Sequence, residues 1–141
     1  MYAIGLGLLI IHILAFVAGG ANSVIMPVIG PKLATATPEI RATLMGIVEA
    51  VAKVGKYAFA TLLVTGVLTL WLKWDWVVPN GWFWAKMAFV VLMVVFIGGN
   101  EMNARKARAG DVEAGRRAAR FGQLTGLAFL GVITTAVLAF N

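Results

Sequence analysis

Four stretches of this chain carry little or no charge, and each predicts a membrane-crossing helix, for which about 20 apolar residues suffice. They run from Tyr2 to Ala21, with the apolar run continuing past Asn22 and Ser23 to Ile29; from Tyr57 to Leu72; from Met87 to Asn100, extended outward by Trp82–Ala85; and from Phe121 to Phe140. The first helix is therefore expected over 2–29. Thr37-Pro38 reads as an N-cap followed by the first helical position, and Glu39 favours the positive end of the helix dipole. No breaker follows until Trp74, so one long second helix is expected over 38–74. At 1.5 Å per residue it measures ~55 Å and projects into the cytoplasm. Ile40, Leu44, Ile47, Val51, Val54 and Ala58 recur at 3-4 spacing on one face, predicted to pack on the inner part of the third or fourth helix. Glu49 and Lys53 stand as an i,i+4 pair on another face. Asp75, Pro79, Asn80 and Gly81 are expected to break the chain. The third helix is then expected over 82–109, stopping at Gly110, and the fourth over 111–140, capped by Asp111. The fold expected is all-α: a polytopic membrane four-helix bundle forming a single domain over 1–141.

Composition supports a lipid environment. Of 141 residues, 61% are hydrophobic and 13% charged, about half the charged share of a soluble domain. Cysteine is absent, which excludes disulfides, thiolate metal sites and cysteine nucleophiles. No Lys or Arg precedes Lys32, so the first helix lacks the basic leader of a cleavable signal peptide. The net charge of +6 follows the membrane rather than marking a nucleic-acid partner. The segments joining helices 1–2 and 3–4 hold ten of the twelve Lys and Arg residues, and the other side only Lys73 and Lys86. This bias predicts cytoplasmic basic loops and both termini outside, as in a bacterial inner membrane. Trp71, Trp74, Trp76, Trp82 and Trp84 gather on the sparse side as an interfacial belt. The basic run from Arg105 to Arg120 reads as an orientation signal in contact with anionic lipid.

Glycines Gly5, Gly19, Gly20, Gly66, Gly98, Gly99 and Gly131, with a GxxxG step at Gly122 and Gly126, are expected to let helices approach closely. Thr61, Thr65 and Thr69 share one face of helix 2; plain packing, with hydroxyls returned to the backbone, is the preferred reading over a polar cavity. The one histidine, His12, lies ten residues into the first helix, ~15 Å deep and near the midplane. An ionisable ring there commonly faces a cofactor, a partner or a proton path. The ordinary alternative is a neutral histidine bonded to a backbone carbonyl or a threonine. On the third helix the same depth falls near Met93, while Lys86 lies ~10 Å nearer the outer face. Direct contact of Lys86 with His12 is not expected, although a large cofactor could reach both. Snorkelling to the tryptophan belt is the alternative for Lys86.

The segment from His12 through Ile-Leu-Ala-Phe-Val-Ala-Gly to Gly20 resembles the histidine-then-glycine segment of HemJ-type protoporphyrinogen oxidases and of the related CopD-like membrane proteins. Gly81-Trp82-Phe83-Trp84-Ala85-Lys86 is similar to the Gly-Trp-x-x-x-Lys opening of their third helix. The resemblance implies haem b as cofactor, oxidoreductase activity on a porphyrinogen, His12 as iron ligand, and Lys86 as partner of a propionate or substrate carboxylate. With one histidine per chain, the second axial ligand falls to Met93, to His12 of a second subunit, or to nothing. Two other classes stand beside this one. One is a non-catalytic accessory subunit of a larger membrane complex or homo-oligomer. The other is a copper-handling protein with Met26, Met87 and Met93 as soft ligands beside His12.

Overall fold

The computed structural model describes residues 2–77 and 80–140, with the side chains of Tyr2 and Phe140 set aside. Pro79, expected in the turn, and Asn141 lie outside the described residues. Four helices follow in order: α1 (Tyr2–Thr35), α2 (Pro38–Trp74), α3 (Gly81–Arg108) and α4 (Val112–Phe140). The fold is all-α. Two compact units divide the chain, Met1–Val77 with α1 and α2, and Val78–Asn141 with α3 and α4. Each is a helical hairpin.

In the first hairpin α1 runs six residues beyond its expected end at Ile29, through Pro27 and Pro31 to Thr35. Each proline removes one N–H, a loss that long apolar helices tolerate. Helix α2 matches its expected bounds because the stop signals at both ends are strong. Thr37 is extended (φ −62°, ψ 160°) ahead of Pro38, although its hydroxyl makes no cap bond. At the far end Asp75 and Trp76 are both left-handed (φ 46° and 63°), and their N–H groups donate to Leu70 O. Arg41 reaches back to donate to Leu33 O (3.1 Å), satisfying one of the last carbonyls of α1.

Contacts at His12–Gly66, Gly19–Ala58, Asn22–Gly55 and Leu33–Arg41 climb α1 as they descend α2, so the two helices lie antiparallel along nearly their whole length. Within this hairpin α1 lies along the α2 extension. The expected stripe splits: Leu44, Val51 and Ala58 are covered together with Val48 and Gly55, while Ile40, Ile47 and Val54 are exposed. Glu49 and Lys53 are both exposed and do not pair.

In the second hairpin Asn80 caps α3 by accepting from Trp82 N–H (3.1 Å), and its amide donates to Ala139 O (3.1 Å), tying the start of α3 to the end of α4. Gly81, expected to break the chain, is the first residue of α3. Gly110 takes φ +103°, and Asp111 Oδ1 accepts from Ala114 N–H (3.0 Å) to cap α4, as its sequence position predicts. Close approach falls at two glycines that each receive an aromatic ring. A Cβ on Gly99 would lie 2.8 Å from the Phe121 ring, and one on Gly131 would lie 2.5 Å from the Phe89 ring. Gly5, Gly98 and Gly126 have nothing within 4 Å of a Cβ position, so of the GxxxG step only Gly122, whose Cβ would lie 3.3 Å from Asn100 Nδ2, meets α3 closely.

Helices α1, α3 and α4 are long and apolar enough to cross a membrane. Their large side chains point outward: Leu14, Val91 and Leu127 are 63%, 59% and 64% exposed. The most deeply buried residues are small ones, Ala114, Ala128 and Ala139. Such a surface needs lipid around it, and the protein is an integral membrane protein. Helix α2 carries a shorter apolar run, 57–72, between Lys56 and Lys73. Paired along α1, it returns across whatever α1 crosses.

Candidate functional site

Antiparallel packing of α1 on α2 brings the one histidine against the threonine face. His12 Nδ1 lies 2.7 Å from Thr65 Oγ1, with the ring's Cε1 over Gly66. Thr65 is 5% exposed, and its hydroxyl is also 2.7 Å from Thr61 O. A carbonyl only accepts, and a hydroxyl has a single proton to give. Both short contacts are satisfied only when Thr65 donates to Thr61 O and accepts from His12 Nδ1–H. The proton on the neutral ring is thereby placed on Nδ1, and Nε2 carries the lone pair.

The threonine face divides. Thr61 donates to Tyr57 O (2.9 Å) and Thr65 to Thr61 O, the backbone return that plain packing predicts. Thr65 does more than pack, because it also fixes the imidazole. Thr69, one turn further, has a buried Oγ1 with no hydrogen-bond partner among the described residues. The sequence placed all three on one face but carried no signal for which would meet His12.

Lys86 and Met93 belong to the other hairpin. They stand seven residues apart on α3, which puts them on one face about 10 Å apart along the axis. Met93 is buried (8%) and Lys86 half-buried. The copper alternative is weakened by spacing within single helices. Met26 lies fourteen residues from His12 on α1, roughly 21 Å along the axis. Met87 is exposed where Met93 is buried, so these two sulfurs do not converge.

Haem can be tested against this donor set. Among the described residues no three of His, Asp or Glu gather to hold a bare metal ion. A porphyrin brings its own four nitrogens and asks the protein for one or two axial donors. A neutral imidazole, oriented through Nδ1–H by a hydrogen-bond acceptor and presenting Nε2, fits that single demand. The His12 imidazole has the chemistry of such a donor, while Lys86 and Met93 belong to the other hairpin.

No family model, curated protein or solved structure matches the chain.

Proposed function

We propose that the chain is a haem-b-binding membrane oxidoreductase of HemJ-like kind, acting on a porphyrinogen. The reading is carried by the His12–Thr65 bond, which holds the one imidazole of the chain within the apolar span of α1 with its lone pair on Nε2. In this account His12 Nε2 ligates iron and Thr65 orients the ring. The resemblance assigns Lys86 as the group that would pair with a propionate or substrate carboxylate, and leaves Met93 as one of the donors that would complete the iron's ligands. The apolar helices exclude water from the group, and haem b, when bound, supplies one-electron redox chemistry. The charge bias supports an orientation with the basic loops cytoplasmic and both termini outside, in a bacterial inner membrane. The test is the optical spectrum of protein purified from haem-replete cells, compared with His12→Ala. A Soret band lost in the variant supports the reading, and a colourless wild-type protein contradicts it.

A second reading, as accessory subunit or homo-oligomer, draws on Gly5, Gly7, Gly98 and Gly126, whose Cβ positions meet nothing within 4 Å. Such surfaces admit close approach by another helix. Migration of the protein in mild detergent as a single chain without partners would argue against it.

A further inference from the structure

The first turns of α4 hold three arginines, Arg116, Arg117 and Arg120, around an open groove of ≈ 380 Å³ completed by Val112 and Glu113. Arg117 is neutralised by Glu113, at 3.1 Å. Among the described residues Arg116 and Arg120 have no hydrogen-bond or ion-pair partner, and both are exposed. They stand four residues apart, so both guanidinium groups project from one face at successive turns. As like charges four residues apart on one helix face they repel each other. A bound anion would offset that cost.

The same face states what kind of anion. Counting 100° per residue from Arg116, Arg120 lies at 40°, Leu124 at 80°, Leu127 at 20° and Leu138 at 40°. These leucines are 40%, 64% and 42% exposed. Past Gln123 at −20°, the charged head therefore gives way to an apolar track that begins at Leu124. From Arg120 to Leu130 the track runs ~15 Å, the depth of one leaflet of a ~30 Å hydrocarbon core. A soluble phosphate would use the arginines and ignore the track. A zwitterionic lipid would use the track and leave the charge uncompensated.

We propose that Arg116 and Arg120 form a site for one anionic phospholipid, its phosphate held by the two guanidinium groups and its acyl chains laid along Leu124 and Leu127. The inference is independent of whether haem binds.

The test is thermal unfolding of the detergent-purified protein, titrated with phosphatidylglycerol, phosphatidylcholine or inorganic phosphate. Phosphatidylglycerol is expected to raise Tm saturably, and the other two to do so far less. In Arg116→Gln/Arg120→Gln the apparent affinity for phosphatidylglycerol should fall about tenfold or more. Arg105→Gln, which removes a cation paired with Glu101 on α3, should leave it unchanged. An equal shift with phosphatidylcholine, a matching response to phosphate alone, or full retention in the double variant would each overturn the site. Should the Gln pair fail to fold, Arg116→Lys/Arg120→Lys keeps both charges and loses the forks. Retained phosphatidylglycerol on native mass spectrometry should then drop below wild type, and unchanged retention would overturn the guanidinium assignment.

Discussion

His12 and Thr65 lie 53 residues apart in sequence and 2.7 Å apart in the first hairpin, and the second bond of Thr65, to Thr61 O, decides which imidazole nitrogen holds the proton. Because the chain has a single histidine, the assignment is directly observable. In protein labelled with 15N-histidine, the ring should show one protonated Nδ1 and one unprotonated Nε2. The reverse pattern would contradict the hydrogen-bond direction. Thr65→Val should destabilise by about 1–3 kcal/mol by leaving Nδ1–H without its acceptor, and Thr65→Ser should recover most of this. Thr69→Val removes a hydroxyl that has no partner among the described residues, so it should be neutral or slightly stabilising.

Glycines that look alike in sequence separate in a second experiment. Gly131→Ala forces a methyl to 2.5 Å from the Phe89 ring and should cost roughly 1–3 kcal/mol. Gly126→Ala meets nothing within 4 Å and should be neutral, or stabilise by up to about 1 kcal/mol through helix propensity. Thermal unfolding in one detergent measures both. Equal effects would mean that the α3–α4 contact is misplaced.

Asn80 performs two tasks with one amide. Asn80→Asp keeps the cap on Trp82 N–H and loses the donor to Ala139 O; Asn80→Ala loses both. Stability should fall in that order, with the alanine costing about 1–2 kcal/mol. Identical unfolding of the two variants would show that the tie to α4 contributes nothing.

These positions show where the sequence is legible. Helix α2 could be bounded because Thr37-Pro38 and Asp75 act through local backbone chemistry, needing no neighbour. The end of α1 could not, since Pro27 and Pro31 signal a stop in water and are tolerated in a long apolar helix paired with another. Outward-facing Gly126 and inward-facing Gly131 differ only in which side meets the partner helix, and that depends on tertiary rotation. His12 stood out as the one ionisable group of its span. Thr65 did not, because three threonines share its face and only the register of α1 on α2 selects one.

Orientation follows from the charge bias and can be checked in intact cells. A cysteine replacing Trp76, in the turn within the tryptophan belt, should react with an impermeant thiol reagent, while one at Ala109 should react only after permeabilisation. Reaction at Ala109 alone would invert the topology.

Haem ligation by His12 is the central claim, and the spectrum of the purified protein tests it most directly. Protein from haem-replete cells should show a Soret band that shifts on reduction. His12→Ala should abolish it, Thr65→Val should weaken haem affinity by about 10–100-fold, and Lys86→Ala should weaken it less than loss of the ligand does. A colourless wild-type protein, or a wild-type spectrum in His12→Ala, would contradict the account.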